Sequence, residues 1–280
     1  MKYIYTGFFA FLLLNFSQIS VAQQASKKGD FYLYWGWNGS NYTKSNTTFS
    51  GADYDFTIQK MRAKDRQSPL SWDYINPTQM TIPQYNLRFG YFITDRWSIS
   101  LGTDHMKYVM EQNQVADING KINIPGNEFN GTYNNTPVEL TPNFLKFEHT
   151  DGLNYANAEV RYEMPLYFWR IGKKGKGIDF SVLGGVGAGV LYPKTNTSLL
   201  GKERYDEFHL SGWGTSAVVG AKARFLKYLF IQAEFKGGYI DMPNIRTTQY
   251  SVDKAQQSFG FIQYNILFGG QVNLIKKKKD

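Results

Sequence analysis

Along most of the chain apolar and polar residues alternate with a period of two, in runs of roughly ten residues or more. This is the pattern of β-strands with one apolar and one polar face. The run near 151–168 is the cleanest, with Ala158, Val160, Tyr162 and Met164 alternating with Asn157, Glu159, Arg161 and Glu163. So charged a face excludes a strand buried on both sides in an apolar core, and so short a period excludes a membrane helix. The first run, near 30–42, sets Phe31, Leu33, Trp35 and Trp37 against Tyr32, Tyr34, Gly36 and Asn38. The second, near 82–93, sets Tyr85, Leu87, Phe89 and Tyr91 against Gln84, Asn86, Arg88 and Gly90. A third run lies near 97–112, and a fifth, near 178–193, carries Gly185, Gly187 and Gly189 on its polar parity, which lets a tight barrel curve or leaves room for large side chains opposite. The sixth (206–225), seventh (228–242) and eighth (258–274) repeat the alternation.

What separates the runs fixes their arrangement. Three short turns (Thr94-Asp95-Arg96, the Arg170 to Lys176 stretch, and Leu226-Lys227-Tyr228) alternate with four long polar segments near 43–80, 113–150, 195–205 and 243–256. A membrane barrel has short turns on one side and long loops on the other. Four loops and three turns require eight crossings, with both termini on the short-turn side. The prediction is an all-β protein: an eight-stranded antiparallel transmembrane up-and-down β-barrel with long extracellular loops and periplasmic termini. Aromatic residues collect beside the short turns (Tyr91, Phe92 and Trp97; Tyr167, Phe168 and Trp169; Phe225, Tyr228 and Phe230) where an interfacial girdle belongs. Within the first two loops, Tyr54–Met61 and Asp117–Asn123 are strand-like, and Asn119-Gly120 is a tight-turn signal, so hairpins are expected to extend the wall.

The N-terminus agrees with this address. Lys2, the apolar run Phe8 to Phe16 and the small residues Ser20-Val21-Ala22 predict a signal peptide over 1–22 and a barrel domain over 23–280. A mean hydropathy of −0.42 beside 20 Tyr, 21 Phe and 6 Trp suits a barrel whose lipid face uses every second residue. The absence of cysteine excludes disulfides, thiolate catalysis and Cys-based metal sites. The net charge of +8 owes part of its value to the Lys276–Lys279 tail, and a secreted chain does not point to a nucleic-acid partner. The three histidines, His105, His149 and His209, lack metal-ligand spacing, so no metal or cofactor is expected.

On this plan the chain resembles the small eight-stranded outer-membrane barrels of Gram-negative bacteria, the OmpA-, OmpX- and OmpW-like group. The resemblance rests on architecture across nearly all of the mature chain. It departs at the C-terminus, where Leu274-Ile275 and a lysine tail replace the terminal aromatic of such barrels. Inward parity collects Asp104, Glu159, Glu163, Asp179 and Glu234 against Arg88, Arg161, Lys222, Arg224 and Lys236. Balanced charges in a lumen just wide enough for side chains predict a paired, plugged interior in this porin-like plan; a lumen of one sign would have argued for an ion-selective channel.

One motif suggests catalysis. His209-Leu210-Ser211, read on the sixth strand with the lipid-facing parity of Trp213, resembles the His-x-Ser pair of PagL-type lipid A deacylases. That resemblance implies His209 as base and Ser211 as nucleophile, with Asp206, Glu207 or Asp241 as candidate orienting groups. Gly212 stands where that family has Asn, and Glu234, the nearest downstream Glu, has inward parity. The reading that follows is a non-catalytic structural or surface-binding protein. Its expected partners are outer-membrane lipids and lipopolysaccharide, and an extracellular ligand or protein at loops 43–80 and 113–150. A narrow transport path for small or apolar molecules and a lipid A acyl hydrolase are the alternatives.

Overall fold

The computed structural model describes residues 26–67, 84–171, 176–205 and 207–273. The predicted signal peptide, Asp206 and the lysine tail lie outside them. Eight strands form a ring: β1 (Asp30–Tyr42), β5 (Tyr85–Phe92), β6 (Trp97–Met110), β9 (Leu145–Arg170), β10 (Gly177–Leu191), β12 (Gly212–Phe225), β13 (Leu229–Arg246) and β14 (Lys254–Asn273). Each pairs antiparallel with its neighbour in chain order, and β1 pairs β14 from Asp30↔Asn273 to Tyr42↔Phe261, which closes the ring. Six shorter strands build upward from its long-loop end: β2 (Ser45–Ser50), β3 (Tyr54–Met61), β4 (Ala63–Lys64), β7 (Val115–Ile122), β8 (Gly131–Glu139) and β11 (Asn196–Leu199).

The pattern of β9 explains why. From Leu145 to Glu163 its odd residues, Asp151 apart, face inward, yet the inward set changes from Leu145, Phe147, Leu153 and Tyr155 to Asn157, Glu159, Arg161 and Glu163. The outward set changes the other way, from Lys146 and Glu148 to Ala158, Val160 and Met164. β14 inverts likewise, from Phe259 and Phe261 inside to Gln263 and Asn265, while Gln256 and Ser258 outside give way to Ile262, Ile266 and Phe268. The lower segment is a lipid-facing barrel with a polar lumen, and the upper one is a water-facing barrel with a dry core. Exposed Trp213, Tyr239, Tyr192 and Tyr264 mark one edge of the apolar belt, and Trp97, Tyr167, Trp169 and Tyr228 the other. The protein has the fold of a small outer-membrane β-barrel.

Where the inner phase turns apolar, polar outward residues read as loop, and this shortened several expected strands. β9 begins at Leu145 and not near 151, β13 reaches Arg246, and β14 starts at Lys254, so the fourth long segment shrinks to 247–253. Asn119-Gly120 is not a hairpin turn. It lies inside β7 at a bulge, where Gly120 has φ +126°, and the connection to β8 falls at 123–130. β12 begins at Gly212, so His209-Leu210-Ser211 precedes the strand that was expected to carry it.

Candidate functional site

The lumen holds the predicted charges in three groups. At mid-barrel the Glu159 carboxylate faces Arg161 Nε at 2.6 Å, Arg88 Nη2 at 2.8 Å and Lys236 Nζ at 2.8 Å. Lys236 also reaches Asp104 at 2.6 Å, and Arg161 reaches Glu234 at 2.6 Å, which joins six residues from four strands of the ring. Nearer the short-turn end, Lys222 donates to Glu163 at 2.9 Å and to Gln271 at 2.7 Å. At the mouth, Arg224 pairs with Asp179 at 2.9 Å. The network needs its glycines. A Cβ on Gly187 would lie 2.5 Å from Glu159 Cγ, and one on Gly185 2.8 Å from Arg161 Cγ, so bare backbone opposite leaves the space these side chains fill.

Charge counting by parity missed several members. Asp30 is buried and accepts from Gln271 at 2.8 Å; it lies at the start of the expected first run on the even parity of Tyr32 and Tyr34, and the count of inward charges left it out. Ser26, which donates to Glu163 at 3.0 Å, lies before the strand and carried no sequence signal. Tyr34 Oη and Asn157 complete the set, accepting from Arg161 at 2.8 Å and from Arg88 at 2.5 Å.

Above this column the lumen is dry. Phe49 and Phe56 from the first loop hairpin, Met106, Tyr108 and Met110 from β6, Phe144, Phe147, Leu153 and Tyr155, and Ile240, Met242, Phe259 and Phe261 form one buried apolar cluster across the long-loop end. Gln257 donates to the Tyr108 hydroxyl at 2.6 Å. His149, 0% exposed, pairs through Nδ1 with the Thr195 hydroxyl at 2.9 Å. Burial pushes its pKa down to about 3, which keeps the ring neutral. A clasp ties three loops on the rim: Asp253 accepts from Lys202 at 2.7 Å, Thr248 at 2.8 Å and Tyr54 at 3.0 Å. Burial opposes the Asp253 charge, but these donors hold its pKa below the usual carboxylate value.

His209 and Ser211 are close in sequence without forming a dyad. The Ser211 hydroxyl, on a residue 1% exposed, donates to the His209 carbonyl oxygen at 3.2 Å and not to the imidazole. His209 Nε2 lies 3.1 Å from Asn244 Nδ2, and partial burial, then Arg246, pushes its pKa down. Asp241 sits in register with Trp213 on β13, and Glu207 is exposed. The shared lipid-facing parity expected for the pair required β12 to extend to both; it begins at Gly212, after them. His105 lies on the outward parity of β6, in register with Tyr85 and Asn154, yet is buried there, with its ring stacked on Tyr85 at 5.1 Å and Nδ1 2.8 Å from Asn154 Oδ1. Among the described residues no cluster of His, Asp or Glu is arranged to hold a metal ion.

No protein-family model and no curated protein matches this chain. Among solved structures it is similar to the outer membrane protein OprG from Pseudomonas aeruginosa, at 14% identity and a TM-score of 0.36, over 89% of this chain and 99% of that one. It is also similar to the outer membrane protein AlkL, at 8% identity and a TM-score of 0.42, over 91% and 95%. A third is Neisserial surface protein A, at 10% identity and 0.34, over 88% and 100%.

Proposed function

We propose that the protein is a non-conducting barrel of the outer membrane. In this reading its long-loop end is a preassembled domain that binds partners outside the cell, and both termini lie in the periplasm. One observation carries it: the apolar cluster that closes the long-loop end of the lumen. A water-filled path would have to hydrate side chains worth roughly 1.5–3 kcal/mol each when buried, a total on the order of tens of kcal/mol. The paired charges below add a second seal, because moving one partner strands the other in a low-dielectric interior. Packed loops also favour recognition, since a surface ordered beforehand loses less entropy when it binds.

Two experiments test the reading. Purified protein in planar bilayers should give no steady large openings, and such openings would refute the plug. Protease applied to intact cells should cut within 43–80 or 113–150 and spare the Lys276–Lys279 tail; cleavage of the tail alone would reverse the orientation.

A further inference from the structure

Residues 60–66 read Lys-Met-Arg-Ala-Lys-Asp-Arg, with a cation at every second position. In β3 the even residues Tyr54, Phe56 and Ile58 face the dry core, so an unbroken strand would drive Lys60, Arg62, Lys64 and Arg66 into it. A bulge prevents this. The pairing with β2 shifts between Thr47↔Ile58 and Ser45↔Met61, Lys60 adopts φ +51°, and its N–H donates to Asn46 Oδ1 at 2.9 Å. Met61 then takes the inward position and is buried, while Lys60, Arg62, Lys64 and Arg66 are all exposed. One extra residue turns the whole set outward.

The result is a basic ladder down the outside of the wall, about 20 Å long at roughly 3.3 Å per residue. Arg62 has one acidic partner, Glu111 at 3.0 Å, and Arg66 has Glu148 at 3.2 Å. Lys60 and Lys64 have no ion-pair partner among the described residues. Exposed Lys44 adds a cation, because pairing of Ser45 with Met61 brings it beside Arg62. The ladder descends to the apolar belt: Gln67, next to Arg66, donates to the Tyr264 hydroxyl at 2.5 Å, and Tyr264 is a member of the girdle.

We propose that this ladder binds the phosphorylated saccharide head group of an outer-leaflet glycolipid. The inference rests on the outer-membrane reading above. The location selects the partner: a lateral face that begins at the aromatic girdle and rises along the wall is where a membrane-anchored head group lies. A soluble polyanion would meet the exposed tips first. The chemistry agrees, since guanidinium forks and ammonium groups match phosphate oxygens, and repeated cations favour a ligand with several phosphates.

The test uses full-length protein in detergent micelles with three probes: lipopolysaccharide, enzymatically dephosphorylated lipopolysaccharide, and heparin as a soluble polyanion. The K60Q/R62Q/K64Q/R66Q variant changes exposed side chains only, and its folding is checked by heat-modified gel migration. Its affinity for lipopolysaccharide should fall about tenfold or more, with a weaker salt dependence than wild type. Dephosphorylated lipopolysaccharide should bind wild type and variant equally. The K121Q/K146Q control should behave as wild type. Equal affinity of wild type and variant for lipopolysaccharide overturns the proposal, as does a loss confined to heparin. Failure of the wild-type protein to insert into bilayers would instead defeat the outer-membrane reading.

Discussion

The buried imidazole of His149 makes the loop domain sensitive to acid. Its pKa is about 3 in the folded protein, against about 6.5 when hydrated. A folded pKa below the unfolded value means that the open state binds the extra proton between those pH values, so stability falls as pH drops through 6.5 and continues to fall toward 3. At pH 7.5 the penalty is negligible; at pH 5 the separation from 6.5 amounts to about 2 kcal/mol. That is about thirtyfold in the population of states that hydrate the ring. The assay is hydrogen exchange read by mass spectrometry on protein in lipid nanodiscs, following the peptides of β2, β3 and β7 at pH 7.5 and 5, corrected for intrinsic exchange. Wild type should lose about 2 kcal/mol of local opening free energy, and His149→Gln, which cannot titrate, should lose almost none. The reasoning fails if both proteins lose the same amount or neither does. Asp253 does not confuse the test: its pKa is already lowered, so its contribution is present above the ordinary carboxylate range and is lost only below it.

Asp253→Ala should release the clasp and cost about 2–3 kcal/mol in the stability of the loop domain, read as faster proteolysis at 247–253. Gly187→Leu should push Glu159 from its ion pairs and lower the temperature at which the heat-modified gel band converts, whereas the smaller Gly187→Ser change should lower it less. Leu226 and Lys227 both adopt positive φ, 53° and 70°; Leu226→Asn with Lys227→Gly should stabilise the barrel by about 1 kcal/mol in urea unfolding. Ser211→Ala should leave the lipid A acylation pattern unchanged by mass spectrometry; a lost deacylated species would restore the hydrolase.

The eight crossings were legible because lipid demands an apolar set at every second position while the lumen here takes charge, as in Ala158 to Met164 against Asn157 to Glu163. The loop domain was half legible. Tyr54 to Met61 announced a strand, but nothing in the residues showed that Lys60 would interrupt its parity, because a bulge is a backbone event whose preference is weak outside glycine. The ten charges expected in the lumen followed from parity, whereas Ser26, which precedes the first strand, did not. The pairing of those charges did not either, since the contact of Arg161 with Glu234 or of Lys236 with Asp104 depends on strand stagger around the ring. The spacing of His209 and Ser211 did not show which atom the hydroxyl would select, here the His209 carbonyl oxygen.

The dry cap has a consequence for the order of assembly. Its side chains come from opposite ends of the chain: Phe49 of β2 pairs with Ala255 of β14, and the bond from Tyr54 to Asp253 spans 199 residues. Contacts so distant in sequence are slow to form and bring no stability until the ends meet. The cap is therefore the last part to mature, after the first and last strands have zipped together. Until then Phe49, Phe56, Phe144 and Phe147 remain unshielded, so this domain depends on being kept from aggregation more than its polar loops suggest.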